Sequence, residues 1–427
     1  MLGLDSLVIH FVPYFILFSN TAYSATLTMN LRIKIRFTIL SKVFVSVTLF
    51  VIFVTVISNI SQQTSSMLSL LRVSNIKFKE PGMKYILLWT STYTIPFVHM
   101  GIGRSGFIER KCPYMNCIVT GNMSLLNSIV DFDVIAFAGP ELVHDSKPPM
   151  PIQRLPYQKY VFASIESPVN YPLCAFEFDG YFNWTWTYKL DSNVRWGYIV
   201  IRDIHNKIIG PRNDMHWLKQ TEMSPVNETF KLQLKSKTRP VAWFASNCRT
   251  ESRREIFVRN IGTELKKYNL SIDIYGLCGV LRCSREEQDL CNEIVRDKFY
   301  FYLSFENAFS EDYVTEKLLT PLQNNAIPIV YGGANYTKFL PDGSYLNAKE
   351  LGIYALAAKI DELIKNPDMY AEYFRWTNHY TYHKTIDSIE TNEYCKMCEV
   401  LNDEEAVKNK TVITEFTEWW EAYEMCD

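Results

Sequence analysis

Two consecutive strand–helix–strand patterns between residues 241 and 333 constrain the fold of this chain more than any other feature. Strands are indicated by short apolar runs that end at Gly or at polar residues, and helices by longer segments between them. Such alternation is typical of a parallel α/β sheet. The six predicted segments are, in order, 241–246, 252–268, 271–276, 299–305, 312–325 and 326–333.

Three further apolar runs precede this region: "KYILLWT" (84–90), "DVIAFAG" (133–139) and "KYVFASIESP" (159–168). Each has the length of a strand, and continuous apolar runs of that length fit strands that are covered on both faces. The sequence therefore predicts another α/β unit, which precedes the 241–333 region in the chain. We expect the two domains at 82–238 and 239–375, followed by a C-terminal extension at 376–427 that carries a CxxC pattern.

Residues 37–57 form an apolar stretch of 21 residues with one charge, Lys42. About 20 apolar residues suffice to cross a bilayer as a helix. Basic residues lie before the apolar centre and are then missing until Arg72, which predicts a cytoplasmic N-terminus. We expect a cytoplasmic tail at 1–36, a transmembrane signal-anchor at 37–57 and a stem at 58–81, with Met29 as the hypothetical true start.

The chain has 427 residues and a formal net charge of −2, which argues against a nucleic-acid partner because such proteins carry basic patches. All ten cysteines follow the predicted anchor, as expected in an oxidising compartment. Cys395 and Cys398 form the CxxC, and with no second pair at zinc-finger spacing they favour structural disulfides over zinc. The connectivity stays open. Possible N-glycosylation sequons occur at Asn122, Asn183, Asn227, Asn269, Asn335 and Asn409, with another at Asn59 close to the membrane.

The segment "ENAFSEDYVTEK" (306–317) follows the predicted strand 299–305, where ligands of α/β sheets usually bind. If a helix began at Asp312, its N-terminus would favour an anion. Helical geometry would then place Tyr313, Glu316 and Lys317 on one arc, away from an apolar stripe. Arg254 also follows a strand end, and two cations suit a diphosphate. These residues alone leave solvated, charged helix surfaces as an equal alternative.

The stretch "FYLSFENAFSEDYVTEKLLTPLQNNAIPIVYGGANYTKFLPDGSYLN" (301–347) closely resembles the donor-binding signature of α1,3-fucosyltransferases. The resemblance extends in order to "FASIESP", "FNWTWTYKLDS", "WFASNCRTESRRE", "DIYGLCG" and the late "YCKMCE", and thus covers residues 84–400. One departure is Pro321 inside the predicted helix, where the family usually has an ordinary helix former. We expect it to kink or shorten that helix.

The resemblance implies a fold of the GT-B type, in which two Rossmann-like domains face a cleft. The second domain would bind GDP-fucose through Arg254, Asn307, Tyr313, Glu316 and Lys317, and the first would bind the acceptor glycan. Glu166 falls where the family keeps its general base. It also follows a predicted strand end, so the residues independently allow it to face the cleft.

The implied activity is inverting α1,3-fucosyl transfer from GDP-β-L-fucose to a GlcNAc hydroxyl of a glycoprotein or glycolipid glycan. The implied location is the Golgi membrane, as a type II protein held by one helix with its catalytic head in the lumen. No cofactor would be required, and a divalent cation would at most stimulate. Whether the acceptor is an N-glycan core or a LacNAc or LacdiNAc antenna stays open.

The sequence leaves two alternative functions. Asp131 and Asp133 form a DxD pattern, as in glycosyltransferases that hold Mn²⁺, although Asp133 is also the first residue of the predicted strand 133–139. A membrane-anchored, inactive glycan-binding relative is the second alternative. The complete set of donor-site residues argues against it.

Overall fold

The computed structural model describes residues 46, 48–62, 79–143, 148–174, 176–284 and 287–420. The chain divides into two compact units, 1–72 and 73–427. In the first unit, residues 48–62 form helix α1. The predicted membrane span begins at residue 37, so much of it lies outside the described residues. Among those that are described, no helix combines the length and apolarity that a bilayer crossing requires.

The second unit contains fourteen strands within its described residues. They are Lys84–Leu88 (β1), Cys117–Thr120 (β2), Val134–Ala138 (β3), Lys159–Ser164 (β4), Trp184–Thr187 (β5), Val194–Arg195 (β6), Ile199–Asp203 (β7), Ile208–Gly210 (β8), Arg239–Phe244 (β9), Ile272–Tyr275 (β10), Phe299–Phe305 (β11), Ile327–Tyr331 (β12), Leu346–Asn347 (β13) and Tyr380–Lys384 (β14).

The described helices of this unit lie mainly in its second half. They are Ser105–Glu109 (α2), Glu228–Lys235 (α3), Arg254–Leu265 (α4), Gln288–Lys298 (α5), Leu319–Gln323 (α6), Ala348–Lys365 (α7), Pro367–Glu372 (α8), Glu393–Asn402 (α9), Glu404–Lys408 (α10) and Phe416–Trp419 (α11).

Two parallel sheets organise these elements and confirm the predicted α/β class. The first sheet has the order β2-β1-β3-β4-β5-β6 and the second the order β10-β9-β11-β12-β13, with every neighbouring pair parallel. In the first sheet, the central strands β3 and β4 are buried along their whole length, as parallel strands covered on both faces require. A third, antiparallel sheet joins β14 to β7 and β8.

The C-terminal residues return to the first sheet. Helix α9 contributes Tyr394, Met397 and Leu401 to the hydrophobic cluster beneath that sheet. Disulfides Cys112–Cys395 and Cys117–Cys398 attach the same helix to the region around β2. The CxxC cysteines are therefore structural, and each pairs with a distant partner rather than with the other.

The predicted helix at 312–325 is wrong in its first half. Asp312 has a left-handed backbone (φ 56°), and the chain becomes helical only in a 3₁₀ turn at Glu316–Leu318 that leads into α6. The Asp312 carboxylate accepts hydrogen bonds from Leu190 N and Lys338 Nζ instead of capping a helix. The helix N-terminus on which an anion site at Asp312 was predicted is therefore not there, and the helix that follows has only five residues.

Pro321 is accommodated by this shorter helix. Proline lacks an N–H, so it cannot donate to the carbonyl of Lys317 four residues earlier. Ser304 Oγ, on β11, donates to that carbonyl at 2.9 Å. The strand thus supplies the hydrogen bond that the helix cannot make, and it fixes the backbone of Lys317 against the sheet.

Candidate active site

A cavity of about 600 Å³ opens beyond the carboxyl ends of the strands of the second sheet. On one side it is closed by Glu166 and Tyr198, which come from the part of the chain that forms the first sheet. Glu166, two residues beyond β4, contributes from the first sheet. All residues predicted for donor binding or catalysis line this one cavity: Glu166, Arg254, Asn307, Tyr313, Glu316 and Lys317.

Tyr313 connects the two sides of the cavity. Its side chain is 2% exposed and packs edge-on against Tyr188 at a centroid distance of 5.0 Å. The phenol lies 2.9 Å from Glu166 Oε2 and 3.1 Å from Asn307 Oδ1. Burial, together with nearby Tyr198 and Glu166, raises the pKa of Tyr313 well above its usual value. The phenol therefore remains a hydrogen-bond donor.

Glu166 is half-buried at the cavity wall. Asn170 Nδ2 donates to its Oε2 at 3.2 Å, and Ser164 Oγ donates to its backbone carbonyl at 2.8 Å. Among the described residues, the side chains of Tyr313 and Asn170 donate to the Glu166 carboxylate, and both bonds fall on Oε2. The loop after β4 thus holds the carboxylate in one orientation.

Lys317 extends from the 3₁₀ turn to a buried carboxylate that the sequence analysis did not single out. Its Nζ lies 3.1 Å from Glu306 Oε2, 2.7 Å from Thr315 Oγ1 and 3.7 Å from Glu316 Oε1. Burial alone lowers the pKa of the Lys317 ammonium, but Glu306 and Glu316 outweigh it and leave the pKa above its usual value. Lys317 is therefore a charged group at the cavity wall.

Arg254 is the first residue of α4 and is 4% exposed. Its guanidinium donates to the carbonyls of Phe305 and Asn247, whereas Nε has no partner among the described residues. Burial lowers its pKa, and Glu306 is the first of several groups that oppose this effect. An arginine remains charged under such a shift because its usual pKa is so high.

Aromatic and amide side chains line the part of the cavity near β10. The Phe244 ring contacts Tyr275 at 4.7 Å and Tyr302 at 5.4 Å between centroids. Gln288 and Asn292 on α5 lie at the same end and are hydrogen-bonded to each other. Disulfides Cys248–Cys278 and Cys283–Cys291 tie together the loops that carry this wall.

Further cavity residues escaped the sequence analysis. Tyr198 donates its hydroxyl to Ile165 O at 2.6 Å, and Lys384 reaches the cavity from the end of β14. No local pattern near either residue could have located it, because β7 and β14 reach the site only through the third sheet. Asn307 could be predicted because it follows a clearly apolar strand, and no such signal marks Tyr198 or Lys384.

The DxD pattern lies elsewhere. Asp133 immediately precedes β3, so it is at the amino edge of the first sheet, opposite to the edge that carries Glu166. Its carboxylate accepts from Tyr85 N and pairs with Lys79, and that of Asp131 accepts from Ser128 N. Both aspartates have structural roles here, away from the cavity.

One predicted glycosylation site has a different role. Asn183 is 7% exposed, and its amide bonds Tyr160 N, Arg154 and Thr411 O. A side chain so enclosed is not available to a glycosylating enzyme in the folded chain. The other predicted sites of the second unit are exposed: Asn122, Asn227, Asn269, Asn335 and Asn409.

Two family models match this chain. Residues 81–199 match "Fucosyltransferase, N-terminal", and residues 234–419 match "Glycosyltransferase family 10 (fucosyltransferase) C-term". Together they cover both parallel sheets and the cavity between them.

Curated proteins with similar sequences include two from Drosophila melanogaster. Alpha-(1,3)-fucosyltransferase C is 34% identical over 319 residues, which span 73% of this chain and 71% of that protein. Glycoprotein 3-alpha-L-fucosyltransferase A is 30% identical over 328 residues, or 76% of this chain and 58% of that protein. Among solved structures, an alpha1,3-fucosyltransferase with GDP-fucose superposes with a TM-score of 0.45 at 14% identity, over 81% of this chain and 98% of that one.

Proposed function

The chain belongs to the α1,3-fucosyltransferase family, glycosyltransferase family 10, and from that premise we propose that it transfers L-fucose from GDP-β-L-fucose to a GlcNAc hydroxyl with inversion. Membership of this family identifies the chain as an α1,3-fucosyltransferase. The proposal adds the acceptor sugar, the stereochemical course and the residues that act. The observation that carries it is the convergence of Glu166, Asn307, Tyr313, Lys317 and Arg254 on one cavity.

The order of strands suggests how GDP-fucose would lie. Tyr275 ends the edge strand β10, Arg254 follows the adjacent β9, and Asn307 follows β11 next to it. The guanine would stack near Phe244 and Tyr275, and the diphosphate would lie between Arg254 and Lys317. The fucose would then lie by Asn307, Tyr313 and Glu166. This order supports a GT-B architecture in which the second sheet holds the donor.

Glu166 would act as the general base. The acceptor hydroxyl attacks C1 of fucose, its proton passes to the carboxylate, and the C1–O bond to the diphosphate breaks on the opposite face. The new C1–O bond has the α configuration because the attack inverts the β linkage. The hydrogen bonds of Tyr313 and Asn170 fall on Oε2, so we assign Oε1 to the acceptor hydroxyl.

The two cations would stabilise the departing GDP. Charge grows on the diphosphate as the C1–O bond breaks, and fixed positive groups in a partly enclosed site stabilise it without reorganisation. Lys317 and Arg254 are the buried or half-buried cations of the cavity that suit this role. We accordingly propose that no metal cofactor is required and that a divalent cation at most stimulates.

The cellular setting is part of the same proposal. The apolar stretch 37–57 with its preceding basic residues supports a type II anchor in the Golgi membrane, with the domains at 82–238 and 239–375 in the lumen. Disulfides that fasten both sheets fit that oxidising compartment. The acceptor would be a glycoprotein or glycolipid glycan.

The test is Glu166→Gln, with Glu311→Gln as a matched control. Glu311 is an exposed carboxylate in the loop after β11; it pairs with Lys189 and Lys338 and does not line the cavity. Loss of the base should lower kcat by about 10²- to 10⁴-fold. GDP binding, followed by calorimetry, should be retained. Undiminished transfer by Glu166→Gln would refute the assignment of the base.

A panel of acceptor glycans tests the proposed acceptor sugar and the product linkage. The full chain is assayed with GDP-fucose on core-type N-glycans and on LacNAc and LacdiNAc antennae, followed by linkage analysis of the product. An α1,3 linkage to GlcNAc is expected on one of these classes. Transfer to none of them, by protein that binds GDP, would refute the proposed acceptor.

A further inference from the structure

Glu306 is an almost fully buried carboxylate (1% exposed) that none of the proposed steps uses. It immediately follows β11, and its backbone links two neighbouring elements. Its N–H donates to Tyr331 O at the end of β12, and its carbonyl accepts from Ser252 Oγ ahead of α4. The residue therefore lies at a junction of the strands and loops that carry the cavity.

Its side chain makes a compact set of contacts with the segment that carries Lys317. Oε1 accepts from Thr315 N at 2.9 Å, and Thr315 Oγ1 lies 3.0 Å from both carboxylate oxygens. Oε2 lies 3.1 Å from Lys317 Nζ, which is also 2.7 Å from Thr315 Oγ1. A buried carboxylate is costly unless it is paired and hydrogen-bonded, and here both conditions are met.

We propose that Glu306 is a positioning residue that keeps Lys317 protonated and aimed into the donor cavity. The inference rests on the proposed function, because it assumes that Lys317 meets the diphosphate of the donor. The ammonium of a lysine is carried by a flexible four-carbon chain and can take many orientations. Burial in apolar surroundings also lowers the pKa of a lysine, so that it loses its proton more readily. The Glu306 carboxylate counters both tendencies before the donor arrives.

Other charged groups around Lys317 do not replace this carboxylate. The side chain of Glu316 is 59% exposed and lies farther away, at 3.7 Å, so water screens it. Arg254 has the opposite effect, since a second cation favours the neutral lysine. The remaining titratable groups that line the cavity are Glu166, Tyr198, Tyr275, Tyr302, Tyr313 and Lys384.

The test measures the dissociation constant of GDP between about pH 7.5 and 9.5, below the usual pKa of lysine. Four forms of the full chain are compared: wild type, Glu306→Gln, Lys317→Arg and the double variant Glu306→Gln/Lys317→Arg. Each profile is normalised to its own value at the lowest pH. The glutamine keeps an oxygen for Thr315 but removes the charge that opposes the effect of burial on Lys317.

Wild type and Lys317→Arg should share one profile, because Glu306 keeps Lys317 protonated and arginine stays protonated throughout. In Glu306→Gln, GDP affinity should fall about tenfold further across the range as Lys317 loses its proton. The double variant should return to the profile of Lys317→Arg. That rescue separates a charge effect from mere loss of structure, which would persist in the double variant.

Two results would overturn the inference. One is a folded Glu306→Gln whose profile matches that of wild type. The other needs no Glu306 variant: a wild-type profile that falls with pH more steeply than that of Lys317→Arg would mean that Lys317 is not kept protonated. If wild type binds GDP but transfers no fucose, the proposed function fails while the positioning role stands on the binding data.

Discussion

The phenol of Tyr313 donates a 2.9 Å hydrogen bond to Glu166 Oε2 and thereby joins a residue that follows β11 to one that follows β4. The two residues lie in loops that follow strands of different parallel sheets, and they are separated by 147 positions in the chain. Tyr313 and Ala308 are also part of the hydrophobic cluster of the first sheet. The loop after β11 thus inserts into the hydrophobic cluster of the first sheet and brings the proposed donor and base residues together.

Tyr313→Phe should separate orientation of the base from packing. The ring contact with Tyr188 would be kept, while one hydrogen bond of about 1–2 kcal/mol is lost. We expect kcat to fall about 5- to 30-fold with little change in the melting temperature, as measured by steady-state transfer and thermal unfolding. Tyr188→Phe is the matched control, because its hydroxyl bonds Ser310 and not Glu166. Equal kinetic losses in both variants would contradict the role given to Tyr313.

The long-range disulfides should dominate stability. Cys117–Cys398 spans 281 residues and Cys283–Cys291 only 8. In the chain-entropy model these separations correspond to about 5–6 and about 2–3 kcal/mol. Cys112–Cys395 closes almost the same loop, so the larger figure is lost only when both long-range pairs are removed. Cys112→Ala/Cys117→Ala/Cys395→Ala/Cys398→Ala should therefore lower the melting temperature more than Cys283→Ala/Cys291→Ala.

The short-range pair offers the complementary measurement. Cys283 lines the cavity beside Gln288 and Asn292, so Cys283→Ala/Cys291→Ala should weaken GDP binding. Cys117→Ala/Cys398→Ala, assayed below its own melting temperature, should leave GDP affinity unchanged. The reverse ranking in either measurement would contradict this division of roles.

Glu393 should make stability depend on pH. It is 4% exposed at the start of α9, and its Oε2 has no hydrogen-bond partner among the described residues. Burial raises its pKa above the usual value, although its own backbone and Arg110 oppose this. The folded state therefore holds the proton more tightly than the unfolded state. Its contribution is complete in acid and is lost as the pH rises through the folded pKa.

Glu393→Gln removes this titration. The melting temperature of the variant minus that of wild type should become more positive from about pH 4 to about pH 8. Thermal unfolding at a series of pH values measures this difference. A difference that stays constant, or that falls with pH, would contradict a buried carboxyl that prefers its proton.

Asn183 should behave as a structural residue. Asn183→Gln would displace an amide that bonds Tyr160 N and Thr411 O, at a cost of about 1–3 kcal/mol. The attached glycan mass of the expressed protein should not change. Ser271→Ala, which removes the exposed Asn269 sequon without changing the left-handed Asn269 itself, is the control for stability. Loss of one glycan on the Asn183 substitution would show that this site is modified before the chain folds.

Much of the sheet framework could be read from the chain, because strands buried on both faces need continuous apolar side chains. The predicted run 299–305 coincides with β11, and 326–333 contains β12. The following helix was misplaced because Val314, Leu318 and Leu322 have helical spacing. All three are indeed buried in one cluster, but Val314 reaches it from non-helical backbone. Periodicity reports burial, and it does not distinguish the backbone conformations that achieve it.

By itself, the sequence determined the α/β class, the family and the donor and base residues that line the cavity, since these depend on local apolar runs and short motifs. The tertiary structure alone decided the pairing of Cys112 with Cys395, the contact of Tyr313 with Glu166, and the burial of Glu306 beside Lys317. Each of these joins segments that the chain brings together only on folding. A carboxylate next to a strand end looks the same in sequence whether it faces water or a buried ammonium, and only the surrounding atoms settle its charge and its partner.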